Sequence, residues 1–314
     1  MPARLAFRPL TVLTFCLTLL ISQTPQATAQ QVQDPTQIVS RKPSVDIALV
    51  LAVDVSSSIQ SVERTFQRRA YAEALKDPRV ANVALGGGTG RVAIAYMEWS
   101  GHMYQRVHLP MRIMSSAEEM QAFADEILSI RDRPSDPMYY QATAVGDALL
   151  AASVVMSELD VNARDYVIDI SGDGVLNDGS AMVEARDHVL SRGYVINGLP
   201  IEVTGSPTHY DESGSRDLVS QYYADCVIGG PGSFHLIARG FSDIRETLLM
   251  KLMLEMAELP AEQKHQIAAA WNRSADTPVA QVIPAMVLDL SPNGSRRSPS
   301  QTNCDAHESP VFVP

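Results

Sequence analysis

Positive charge is scarce in this chain: 25 Lys and Arg face 36 Asp and Glu, a formal net charge of −11. That excludes the basic stripe on which a nucleic-acid binder depends. Cysteine is scarcer still, with three in 314 residues, too few for a disulfide framework. After Ile21 no apolar run is long enough to hold the chain in a bilayer. The seven histidines form no His-Glu-x-x-His pair, which removes the common zinc-protease signature. No Gly-x-Ser-x-Gly elbow and no phosphate loop ending in Lys-Ser/Thr occurs either. GGGTG at 86 to 90 lacks that ending and precedes a strand, so it reads as a turn.

What is present begins with a leader. Arg4 and Arg8, then the apolar stretch Leu10 to Ile21, then Ala27-Thr28-Ala29, have the three-part form of a signal peptide over residues 1–29. The expected location is therefore periplasmic or secreted, with no transmembrane segment left after cleavage. Cleavage would remove Arg4 and Arg8 and take the net charge from −11 to −13. It would also remove Cys16, leaving Cys226 and Cys304, whose pairing the sequence leaves open.

Residues 30–44 are polar and Gln-rich, a linker. Val45 to Val53 is almost continuously apolar, as in a parallel strand covered on both faces. A helix follows with Val62, Phe66, Ala70 and Ala74 on one stripe, ending near Asp77-Pro78. Arg91 to Trp99 and Tyr104 to Leu109 read as a hairpin. Ser115 and Ser116, each with a Glu three residues on, cap a helix to about Ile130. Helix Thr143 to Leu159, strand Tyr166 to Ile170, helix Ala181 to Arg192 and strand Tyr194 to Ile201 come next. A short helix near Leu218 to Ala224, a strand Ser233 to Ala238 and a helix capped by Asp243 complete a domain over 45–258. In that last helix Ile244, Leu248, Leu252 and Met256 form a broad apolar stripe, which reads as a static covering helix, with a helix able to change register as the alternative. Residues 259–314 read as a weak helix running into a flexible tail. The alternation predicts an α/β fold: a doubly wound, mostly parallel sheet with helices on both faces and one antiparallel edge strand.

The chemistry concentrates at the end of the first strand. "VLAVDVSSSIQ" crowds Asp54, Ser56, Ser57 and Ser58 onto the strand's carboxyl edge, where ligands bind in open α/β sheets. Asp173, in "DISGDGVLNDG", follows a strand expected beside it, and Thr143 opens the intervening helix. Asp54, Ser56, Ser58, Thr143 and Asp173 would then converge. Five oxygen donors without imidazole or thiolate suit Mg²⁺ or Ca²⁺ rather than zinc.

Asp54-Val55-Ser56-Ser57-Ser58, then Thr143, then Asp173-Gly174 resemble the metal-ion-dependent adhesion site of von Willebrand factor type A domains, over roughly residues 43 to 256. "YMEWSG", "NGLPI" and "VIGGPGSF" are similar to an exported bacterial group of such domains without an assigned function. Ser57 stands where glycine is frequent, and Gly172 where threonine is usual. The resemblance implies that Ser56 and Ser58 ligate Mg²⁺ (or Ca²⁺ or Mn²⁺) directly, with Thr143 direct or through water and Asp54 and Asp173 mostly through water. It further implies an open metal position for a protein ligand offering an acidic side chain, with no catalytic step.

Two other readings remain. One is a divalent-metal-dependent hydrolase of phosphate esters, with Asp54 and Asp173 holding the ion; no positioned nucleophile or general base is evident for it. A haloacid-type phosphatase would need an acid two residues after Asp54, where Ser56 stands. The other is a structural envelope protein in which the ion only stabilises the fold. Glu98 and Asp169, acids inside apolar strands, read as hydrogen-bonded structural carboxylates rather than supports for the metal. Asp147, Asn177 and Asp178 read as capping or loop residues.

Overall fold

A computed structural model describes residues 42–132, 142–202, 218–273 and 304. The leader, most of the linker and most of the tail expected from sequence lie outside these residues. Five strands form one sheet: β1 (Ser44–Asp54), β2 (Val92–Trp99), β3 (Gln105–Met114), β4 (Asn162–Gly172) and β5 (Val195–Pro200), in the order β3-β2-β1-β4-β5. β1 runs parallel to β2 and β4, and β4 to β5, while β3 is the antiparallel edge. The fold is thus the doubly wound α/β sheet predicted from the alternation of elements.

β1 shows why its sequence is apolar throughout. Ile47, Leu49, Leu51 and Val53 point into one core, Ala48, Val50 and Ala52 into the other. The first core is closed by α1 (Ser61–Lys76), α2 (Pro78–Ala84), α3 (Ala117–Ser129) and α7 (Ile244–Met256). The second is closed by α4 (Val145–Glu158), α5 (Met182–Ser191) and, after α6 (Leu218–Tyr222), a π-turn over Tyr223–Val227. Cys226 of that turn is disulfide-bonded to Cys304, with a Cα–Cα distance of 5.5 Å.

Several local expectations are corrected. Val62 and Phe66 of α1 are 62% and 50% exposed, so the expected stripe holds only at Ala70 and Ala74. The inner face of its first turns is instead polar. Arg68 forks onto Glu98 (Nε–Oε1 2.7 Å, Nη2–Oε2 2.9 Å), and Gln67 Nε2 donates to the Asp54 carbonyl at 3.1 Å. Buried polar groups held by distant partners do not register in a hydrophobic pattern. α1 does end at Lys76, as expected near Asp77-Pro78, and Pro78 then opens a further short helix, α2, with Asp77 accepting from Arg79 N at 2.9 Å. β3 continues past Pro110 to Met114, because an edge strand tolerates the missing N–H and the pairing bulges there.

Residues 233–238 make isolated bridges (Gly198↔His235, Ile201↔Ala238) rather than a regular strand. The Asp243 carboxylate accepts from Arg239 N at 3.1 Å and does not cap α7. The weak helix expected beyond Pro260 is α8 (Ala261–Arg273). It buries Ile267, Ala268 and Trp271 against Phe234, Leu236, Met250 and Leu254.

Candidate metal centre

The strand order reverses between β1 and β4, and their register (Val53↔Ser171) sets Asp54 beside Gly172 and Asp173. Asp54 Oδ1 accepts the Ser56 N–H at 2.7 Å, folding the carboxylate over its own turn. Ser56 Oγ and Ser58 Oγ lie 3.2 Å apart. Ser58 Oγ donates to Asp173 Oδ1 at 2.6 Å. Thr143 lies against Gly174, the neighbour of Asp173: a Cβ on Gly174 would stand 3.3 Å from its Oγ1. All five residues expected from sequence are therefore brought to one rim. Ser57 and Ser58 are exposed there, and Asp54, Ser56, Thr143 and Asp173 are buried.

Asn177 contributes more than its sequence reading allowed. Its Oδ1 accepts the Thr143 N–H at 2.8 Å and its own N–H donates to the Thr143 carbonyl at 3.1 Å, a two-point clasp that sets the threonine. Asp147, inside α4, and Asp178 tie neighbouring segments together. Asp147 accepts from Ser180 N at 3.1 Å and contacts His102 Nδ1 at 2.7 Å, while Asp178 accepts from His102 N at 2.7 Å.

Electrostatics single out Asp54. It is wholly buried, and burial first, then the charge of Asp173, pushes its pKa well above the ordinary carboxylate range. Its Oδ2 has no hydrogen-bond partner among the described residues. A buried carboxylate oxygen without a donor is costly. The donor set around it is entirely carboxylate and hydroxyl oxygen, the chemistry of a hard divalent cation. These residues fit such an ion.

Gly172, which departs from the threonine usual at this place, has a local cause. A Cβ there would stand 2.7 Å from Tyr223 OH and 2.8 Å from Asp54 Oδ2, too close for either. Sequence reasoning missed Tyr223, which comes from the π-turn and carries no motif.

Glu98 and Asp169 are occupied elsewhere. Glu98 takes Arg68, the Tyr96 hydroxyl at 3.1 Å and His108 Nε2 at 3.0 Å. Asp169 Oδ1 lies 2.7 Å from Lys251 Nζ of α7. GGGTG also proves to be more than a turn: it wraps the Asp46 carboxylate, which accepts from Thr89 N at 2.9 Å and Thr89 Oγ1 at 2.9 Å.

Comparison with curated proteins finds no match. Among solved structures the chain is similar to proximal thread matrix protein 1 from the mussel byssus, whose structure has a zinc-occupied MIDAS motif. The two are 14% identical, with a TM-score of 0.45, over 68% of this chain and 48% of that one. It is also similar to the pilus adhesin SpaC of Lactobacillus rhamnosus GG (13% identity, TM-score 0.48, 69% and 32% coverage). A third is a von Willebrand factor type A protein from Catenulispora acidiphila (15%, 0.43, 68% and 43%). The chain spans about half of the first of these and less of the others. Among the described residues no helix is long and apolar enough to cross a membrane. Residues 44–260 match the family DUF1194, described as a protein of unknown function, and the chain belongs to that family.

Proposed function

We propose that this protein is an exported von Willebrand factor type A module that docks a protein partner through a divalent ion. Mg²⁺ is the ion that an all-oxygen set of this kind suits, with Ca²⁺ and Mn²⁺ as relatives in the same chemistry. Asp54, Ser56, Ser58, Thr143 and Asp173 would hold it. The observation that carries the reading is the buried, donorless Oδ2 of Asp54 amid a cluster of hydroxyls and a second carboxylate. The ion supplies the missing positive charge. Neutral hydroxyls around it leave much of that charge uncompensated, so an acidic side chain from outside completes the shell. The exposure of Ser57 and Ser58 at this rim supports access from outside.

Affinity capture from envelope extract tests the docking. A specific partner should be retained by the wild-type protein in Mg²⁺ and released by EDTA. Asp173→Ala should not retain it. Equal capture in all three conditions would contradict docking through the ion.

A further inference from the structure

A second buried oxygen beside the metal centre also lacks a hydrogen bond, the phenol of Tyr223. Its ring is wholly buried and fixed: a Cβ on Gly198 would stand 2.7 Å from ring Cδ1, and Tyr222 packs edge-on with centroids 6.2 Å apart. Tyr223 OH and Asp54 Oδ2 converge on the same side of Gly172, each within 2.8 Å of the point its Cβ would occupy. They make no direct hydrogen bond. Two buried polar atoms without partners, each this near one point, are close enough for a single water to bridge them.

We propose that Tyr223 is a positioning residue of the metal centre, its O–H donating to Asp54 Oδ2 through one buried water. The proposal rests on the reading of this rim as a metal site. Its physical content is orientation. Ser56 N holds Oδ1 at 2.7 Å, and a donor at Oδ2 would fix the other edge of the carboxylate plane that faces the ion. Glycine at 172 is what lets phenol and carboxylate share that space. The element that carries Tyr223 is the π-turn, a local widening of the helix of the kind found at functional sites.

The test uses the mature full chain. Magnesium titration by calorimetry on wild type, Tyr223→Phe and Tyr222→Phe is paired with thermal unfolding in the absence of metal. Tyr223→Phe should bind Mg²⁺ about three- to tenfold more weakly, the effect of losing one hydrogen bond to a ligand. Its metal-free melting temperature should fall by no more than the loss of one hydrogen bond allows, and Tyr222→Phe should bind like wild type. A purely structural tyrosine would show the reverse, a lowered melting temperature with affinity intact; that result overturns the proposal. A high-resolution crystal structure of the metal-free protein gives a second readout. It should show one water within hydrogen-bond distance of both Tyr223 OH and Asp54 Oδ2, and its absence counts against the bridge whatever the metal data say. Failure of the wild type to bind any divalent ion would instead strike the metal reading itself.

Discussion

Ser58 Oγ donates a 2.6 Å hydrogen bond to Asp173 Oδ1, joining two loops 115 residues apart across the point where the sheet changes direction. The bond closes the rim of the candidate site and aligns the serine with the second carboxylate. Ser57, exposed between Ser56 and Ser58, makes no such connection in the site.

The hydroxyls should therefore differ in weight. Ser58→Ala is predicted to weaken Mg²⁺ binding by about tenfold or more, equivalent to at least roughly 1.4 kcal/mol. Ser57→Gly should change it little. Calorimetric titration of both variants checks the order, and equal losses would contradict the geometry.

Acid should act through Glu98. Burial alone would raise its pKa, but His108 and the Arg68 fork hold it down at about 2, against a model-peptide 4.5. A depressed carboxylate stabilises the fold above its unfolded value and loses that contribution as pH falls through the folded one. Between about pH 4.5 and 2 the protein should lose on the order of 3 kcal/mol from this group. Glu98→Gln should be less stable at pH 7 and flatter over that interval. Urea midpoints measured across the range decide it; an unchanged acid slope in Glu98→Gln would show that other groups dominate.

Sequence made the sheet and the rim legible for the same reason. β1 is buried on both faces, so its apolar run is unbroken until Asp54, and the break itself marks the site. Asp173 opens a loop and Thr143 leads into a helix at that same edge, which makes both legible. What stayed hidden depends on contacts between distant residues. α1 buries Arg64, Gln67 and Arg68 while exposing Val62 and Phe66, an inversion intelligible only once Glu98 and Asp132 are in place. Tyr223 lies in a π-turn with no pattern of its own, and Asn177 clasps Thr143 across 34 positions.

Lys251 shows a further relationship the apolar stripe of α7 concealed. It is fully buried, paired with Asp169 of β4 at 2.7 Å and with Glu255, whose Oε1 also accepts from Asn197 at 3.1 Å. Burial works against its charge, but the two carboxylates more than compensate and its pKa is raised. A shift of α7 by one turn, about 5.4 Å, would leave Asp169 buried without its cation. Lys251→Met is predicted to cost about 3–5 kcal/mol in urea unfolding. Cysteine cross-links between α7 and the sheet should form with equal ease in metal and in EDTA. A metal-dependent change in that pattern would show that the helix moves after all.

The Cys226–Cys304 bond closes a loop with a sequence separation of 78 and braces the π-turn that carries Tyr223. Cys304→Ser is expected to lower stability by about 2–4 kcal/mol under oxidising conditions. The same variant compared under reducing conditions should match reduced wild type. No difference under oxidation would mean that the bond contributes nothing.

Magnesium titration of three proteins, wild type, Asp54→Ala and Asp173→Ala, with unfolding curves for each, tests the central claim most directly. Wild type should take up one ion per chain, and both variants should take up none while remaining folded. Asp54→Ala relieves a buried carboxylate but also takes the acceptor from the Ser56 N–H, so its unfolding curve should stay close to that of metal-free wild type. Uptake by Asp54→Ala equal to that of wild type would contradict the assignment of the site.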